Sequence, residues 1–169
     1  MRKIVLFQPE KPGNTGNIMR LSMALDFSLA IVGEPSFSLS EKALKRAAMD
    51  YLLTLNVERY KDLDEFLDKH KNYEGYFVTR YAKKVYSDFD LKDHEKNQFY
   101  MFGKESTGLP KELLKNHLDH LMRIPMAINA RSLNLADSVS IIAGEVNRQQ
   151  NYQGLALEES IKGKDFILQ

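Results

Sequence analysis

The chain has 169 residues, 43% of them hydrophobic, and a formal net charge of +1. That length fits one domain with a proper core, and the lack of cysteine excludes a disulfide scaffold, a cysteine nucleophile and thiolate zinc sites. No apolar run approaches the roughly 20 residues of a membrane span and the start is too short for a signal-peptide core, so a soluble, cytoplasmic protein without a membrane partner is expected.

Ile4-Val5-Leu6-Phe7 reads as a buried strand, being apolar, partly β-branched and closed by Gln8-Pro9. Ile18, Leu21 and Leu25 then recur at helical spacing, and Leu29-Ala30-Ile31-Val32 forms a second strand. Ser40 to Met49 is read as a helix, with Lys42, Lys45 and Arg46 on one face. Asp62-Leu63-Asp64-Glu65 fits a capping box that opens another helix, through about His70. Strands follow at 75–79 and 99–102, with a polar surface excursion predicted between Lys83 and Asn97. Pro110 to Leu118 is read as helical, 121–124 as a short strand and Asn134 to Gln150 as a long helix. The alternation predicts an α/β fold with a mainly parallel sheet and helices on both faces. One domain is expected over 1–155, and a weakly patterned tail over 156–169, partly disordered.

Ligands in such sheets bind outside the carboxyl ends of the strands. Three unusual segments follow predicted strands: Pro12 to Asn17, Gly103 to Pro110, and Pro125 to Asn134. The first strand–helix turn lacks G-x-G-x-x-G, and G-x-x-x-x-G-K-[ST] occurs nowhere, so the usual dinucleotide and P-loop folds are disfavoured. His117 and His120 lie three apart without a carboxylate pattern beside them, which reads as two surface histidines and implies no metal. Tyr76, Tyr81, Tyr86 and Tyr152 could stack on bases, with packing as the default for most of them.

Taken in order, Asn14-Thr15-Gly16-Asn17-Ile18-Met19-Arg20, Phe102-Gly103-Lys104-Glu105-Ser106-Thr107-Gly108-Leu109-Pro110 and Ile124-Pro125-Met126 with Arg131-Ser132-Leu133-Asn134 and Ser138-Val139-Ser140-Ile141 resemble the motifs of the SPOUT RNA methyltransferases. The similarity is greatest to the small tRNA wobble-nucleotide 2′-O-methyltransferase group, and it spans about residues 1–154. It implies a C-terminal deep trefoil knot, S-adenosylmethionine as cofactor, tRNA rather than DNA as partner, and a homodimer with the active site completed across the interface. Two departures stand out: Thr79-Arg80-Tyr81-Ala82 where the family often has Thr-Thr-Lys-Gly, and Asp137 where Asn is common. The same fold and reaction on another tRNA or rRNA ribose, and a catalytically idle RNA-binding dimer, are the alternatives.

The resemblance implies cofactor contacts at Val78, Gly103, Gly108, Ile124, Met126 and Ser132, and a catalytic set of Arg20, Asn17, Glu105, Ser132 and Asn134. As residues, Gly103 and Gly108 suit either a close backbone approach to a ligand or ordinary turns. Asn17 and Arg20, three apart, share a helix face, placed by this reading near a helix N-terminus that favours phosphate. Arginine stays protonated and is a poor base, so stabilising a developing alkoxide and gripping a phosphate is the preferred role for Arg20. Glu105 could orient a partner's Arg20 or the ribose, or cap the helix after Pro110. Ser132 and Asn134 could cap the last helix, position ligands, or both.

Overall fold

The computed structural model describes residues 1–38, 42 and 55–168; the helix expected at Ser40 to Met49 lies outside them, Lys42 excepted. The predicted strands form because their apolar runs have no polar face. β1 (Arg2–Phe7), β2 (Ser28–Val32) and β5 (Gln98–Phe102) are almost wholly buried on both faces, as interior strands of a parallel sheet must be. With β3 (Val57–Tyr60), β4 (Glu74–Val78) and β6 (Leu121–Met122) they make a parallel six-stranded sheet among the described residues, in the order β3-β2-β1-β5-β4-β6.

One face carries α1 (Pro12–Ala24) and α4 (Leu135–Gln149), whose Ile18, Met19, Val139, Ile142 and Val146 pack on Ile4, Leu6, Tyr100 and Phe102. The other face packs Phe66 of α2 (Leu63–Lys69) and Leu113 and Leu114 of α3 (Lys111–Lys115) on Val5, Phe77, Phe99 and Met101. Asp62 caps α2 by accepting from Glu65 N at 2.9 Å, while the Glu65 carboxylate accepts from Lys61 N rather than from the cap itself.

Four sequence expectations change. β3 is an added strand, carried on the sheet edge. The predicted strand over 121–124 ends at Met122, where Arg123 turns to pair with Val85. The helix predicted from Pro110 to Leu118 stops at Lys115, and a separate 3₁₀ turn covers Leu118–His120. The 83–97 segment is no mere surface excursion, since Phe89 and Leu91 are buried and Gln149 and Gln150 of the last helix hold their backbone groups. The tail from 156 to 168 is exposed throughout.

A polar cluster is buried near the amino ends of the strands, away from the ligand side of the sheet. Lys3, 2% exposed, donates to both Glu58 oxygens at 2.7–2.8 Å and to His70 Nε2 at 3.0 Å. An ammonium cannot accept, so Nε2 is the acceptor and Nδ1–H donates to the Phe66 carbonyl at 2.8 Å. Burial holds the His70 pKa below its ordinary value. Burial pushes the Glu58 carboxyl up, but hydrogen bonds from Lys3 and Tyr60 outweigh it and the net shift is downward.

Candidate active site

At the carboxyl ends of β4, β5 and β6 a cleft of about 460 Å³ opens. The three segments that follow these strands build it, each for a local reason. After β5 the chain doubles back at once, with Lys104 and Gly108 exchanging backbone hydrogen bonds of 2.9 and 3.2 Å. Gly108 makes that turn at φ +74°, a left-handed conformation that favours glycine. A Cβ on Gly103 would overlap the carbonyl carbon of Gly108 and the nitrogen of Leu109, so this glycine first of all lets its own loop close. After β6 the chain leaves the sheet, and Ile124 and Met126 face the cleft instead of extending the strand. Val78, Gly103, Gly108, Ile124, Met126 and Ser132 all line the cleft, as do Glu105 and Asn134.

Glu105 is held by the start of α1, not by the helix after Pro110. Its carboxylate accepts from Glu10 N at 2.8 Å, Lys11 N at 3.2 Å and Asn14 Nδ2 at 3.2 Å, so it supplies the anion that a helix N-terminus favours. Lys11, the N-cap, has no side-chain cap of its own. Glu10 reciprocates by accepting from Ser106 N at 2.8 Å and Ser106 Oγ at 2.7 Å, and these two bonds lower its carboxyl pKa. Asn134 caps α4 through Oδ1, which accepts from Ala136 N at 2.8 Å, while its Nδ2 donates to Asn14 Oδ1 at 3.0 Å. Asn14 thus joins the first helix, the glycine loop and the last helix at one point of the cleft.

Asn17 and Arg20 stand elsewhere. Both are exposed on α1 and neither lines the cleft. Arg20 is the ninth residue of a 13-residue helix, so the expected phosphate site at a helix N-terminus does not apply to it. Within one chain the structure brings together Glu105, Ser132 and Asn134, but not Asn17 and Arg20.

The comparisons with known proteins fit this geometry. The profile of the SpoU rRNA methylase family matches residues 1–144. The chain belongs to this family. A Listeria innocua relative provisionally named a tRNA (cytidine(34)-2′-O)-methyltransferase is 44% identical over 163 residues, 96% of each chain. A solved structure concerned with 2-OH methylation of C/U34 on tRNA is 31% identical with a TM-score of 0.83, covering 90% of this chain and 98% of that one. An S-adenosylmethionine-bound rRNA methyltransferase from Sinorhizobium meliloti is 27% identical with a TM-score of 0.78, covering 87% of this chain and 56% of that one.

SpoU methyltransferases bind S-adenosylmethionine, and the residues of this SpoU cleft fit such a ligand. Its volume lies in the ordinary range for small-molecule sites. Val78, Phe102, Leu109, Ile124 and Met126 supply apolar walls for a nucleobase and an aliphatic chain, and the 103–108 and 131–134 segments supply backbone polar groups. The rim is cationic: Lys11, Arg80, Lys104 and Arg131 line the cleft and enter none of the ion pairs formed among the described residues. Among the described residues no group of three or more metal-ligating side chains converges. His117 Nδ1–H donates to the Leu113 carbonyl at 2.8 Å and its ring packs on Phe77, and His120 packs against Tyr76. No helix among the described residues is long and apolar enough to cross a membrane. Asn14 is the site residue that sequence reasoning passed over, although it stands in the first motif; Asn17 drew attention instead through its helical spacing to Arg20.

Proposed function

We propose that the protein transfers the methyl group of S-adenosylmethionine to the ribose 2′-hydroxyl of the wobble nucleotide of tRNA, working as a homodimer with a trefoil-knotted C-terminal part. The observation that carries this reading is the Asn14–Glu105–Asn134 junction at the edge of an apolar, glycine-looped cleft. The tRNA target is favoured over an rRNA target by length. The relatives concerned with position 34 match almost end to end, whereas the rRNA enzyme has nearly half its chain beyond the match. Support for the knot comes from the family and from the path of the chain, which leaves β5 for β6 at the far edge and then returns α4 to pack on α1.

The bound cofactor supplies an activated methyl group on a sulfonium, and the chain's own residues supply placement and electrostatics. Val78, Ile124 and Met126 exclude water around the adenosyl group. The 103–108 backbone and Ser132 hold its polar atoms. Asn134 and Glu105, fixed through Asn14, set the edge of the cleft at which the ribose enters. Arg20 lies outside its own chain's cleft, so it would serve the cleft of a second copy, where its guanidinium would stabilise the negative charge developing on the 2′-oxygen as the hydroxyl proton passes to water. Exposure of Arg20 and Met23 along one face of α1 suits a helix that packs on another chain.

The test is methylation of bulk tRNA with labelled cofactor, followed by mapping of the modified nucleotide. A 2′-O-methyl group at the wobble position is expected. Methylation confined to rRNA, or none on any RNA, would sink the reading.

A further inference from the structure

We propose that Tyr81, braced by Arg80, is a stacking platform for an unpaired base of the substrate RNA at the mouth of the cleft. The inference rests on the tRNA methyltransferase reading. Tyr81 is 73% exposed, the most exposed aromatic among the described residues, yet it lines the cleft that takes the cofactor. The other candidate stackers differ from it. Tyr76 is 3% exposed and lies stacked on Tyr100 inside the core, and Tyr152 belongs to the turn after α4, outside the cleft.

The residue is fixed through its backbone and through one face of its ring. Its backbone N–H donates to Thr79 Oγ1 at 3.3 Å, which closes a tight turn just beyond β4. The Arg80 guanidinium sits over the ring, 5.5 Å from its centroid, and is itself pinned by donating to the Arg131 carbonyl at 2.8 Å. Arg123 in turn donates to the Arg80 carbonyl. A cation covers one face of the ring, and the large exposure leaves the rest of it to solvent. An aromatic surface so braced loses little freedom when a base stacks on it, and arginine adds a cation–π contribution. Arg131 and Lys104 line the same cleft and Lys83 is exposed two residues on, none of them in an ion pair among the described residues. That charge suits a phosphate backbone better than an apolar protein face.

The experiment compares Tyr81→Ala and Tyr81→Phe with the wild-type enzyme on tRNA. It measures KM and kcat for tRNA, affinity for S-adenosylhomocysteine, and molecular mass by sedimentation. Stacking is worth enough that Tyr81→Ala should raise KM for tRNA about tenfold or more, while Tyr81→Phe, which keeps the ring, stays near wild type. Cofactor affinity and mass should not change in either variant. Unchanged KM in Tyr81→Ala overturns the proposal. So does a loss of cofactor affinity, which would make Tyr81 a wall of the cofactor site, or a change of mass, which would make it part of a protein interface. A wild-type enzyme with no activity on tRNA overturns the parent reading and this one together, which separates that failure from the others.

Discussion

Replacing Asn134 separates two jobs that one side chain performs. Its Oδ1 caps α4 and its Nδ2 holds Asn14 at 3.0 Å. Asn134→Ala removes both. Loss of an asparagine N-cap costs about 1 kcal/mol, which for a chain of this size lowers Tm by about 2–4 °C. Asn134→Asp keeps the acceptor at the cap, and its negative charge suits a helix N-terminus, so stability should stay within about 0.5 kcal/mol of wild type. The aspartate nevertheless has no donor for Asn14 Oδ1 and sets a second carboxylate near Glu105. Losing one positioning hydrogen bond of about 1.4 kcal/mol corresponds to about a tenfold lower rate, and both variants should show at least that loss in kcat/KM for tRNA. The assay pairs single-turnover methyl transfer with thermal melting. An Asn134→Asp enzyme that melts and turns over like wild type would show that the junction is scaffolding without a part in the reaction. An Asn134→Ala enzyme with unchanged Tm would remove the cap from the account.

Arg20→Ala should lower methyl transfer about a hundredfold or more with little change in Tm or in S-adenosylhomocysteine affinity. If Arg20 serves a second chain, mixing Arg20→Ala with Asn134→Ala should restore part of the activity, and no recovery in mixed assemblies would refute that arrangement. Gly103→Ala should destabilise by about 3 kcal/mol, because its Cβ meets the backbone of Gly108 and Leu109, and the thermal shift given by S-adenosylhomocysteine should vanish with it; a wild-type Tm would contradict the close approach. Acid should destabilise the fold in two stages. His70 has a depressed pKa, so the unfolded chain takes up a proton that the folded one refuses and stability falls as pH drops below about 6.5, the ordinary histidine value. Glu58, also depressed, adds a loss as pH falls below about 4.5 and through its folded pKa. Tm measured against pH should show both, and His70→Gln should flatten the first slope without removing the second.

The sheet was readable where a strand has no polar face. β1, β2 and β5 are central, and their runs announce burial on both sides. β3 escaped because Val57-Glu58-Arg59-Tyr60 sits on an edge, where charges are tolerated, and because its inward-facing Glu58 is matched by Lys3 from a strand 55 residues away. No local pattern encodes that pairing. Ile124 misled in the opposite direction: it is apolar to line a cleft, not to extend β6. The choice of Asn17 over Asn14 has a geometric reason. The two are three residues apart and share a helix face, but one lies about 4.5 Å further along the axis. Only the lower one reaches the glycine loop, and spacing alone does not say which level a ligand-binding loop occupies.

Charge shows the same limit of a local or averaged reading. A net of +1 announces no nucleic-acid binder, because Lys69, Lys71, Lys115 and Arg148 are answered by acids three or four positions away on the surface. The cations on the cleft rim enter no ion pair among the described residues. What a phosphate backbone meets is therefore the unpaired remainder gathered at one place, and that depends on which acids the fold uses elsewhere. Glu10 and Glu105 sharpen the point: they lie among these cations, yet their carboxylates are engaged by the backbone of Ser106, Glu10 and Lys11. Glu10 and Glu105 thereby hold the loop through backbone donors, and neither forms a close ion pair with the lysines and arginines that line the cleft among the described residues.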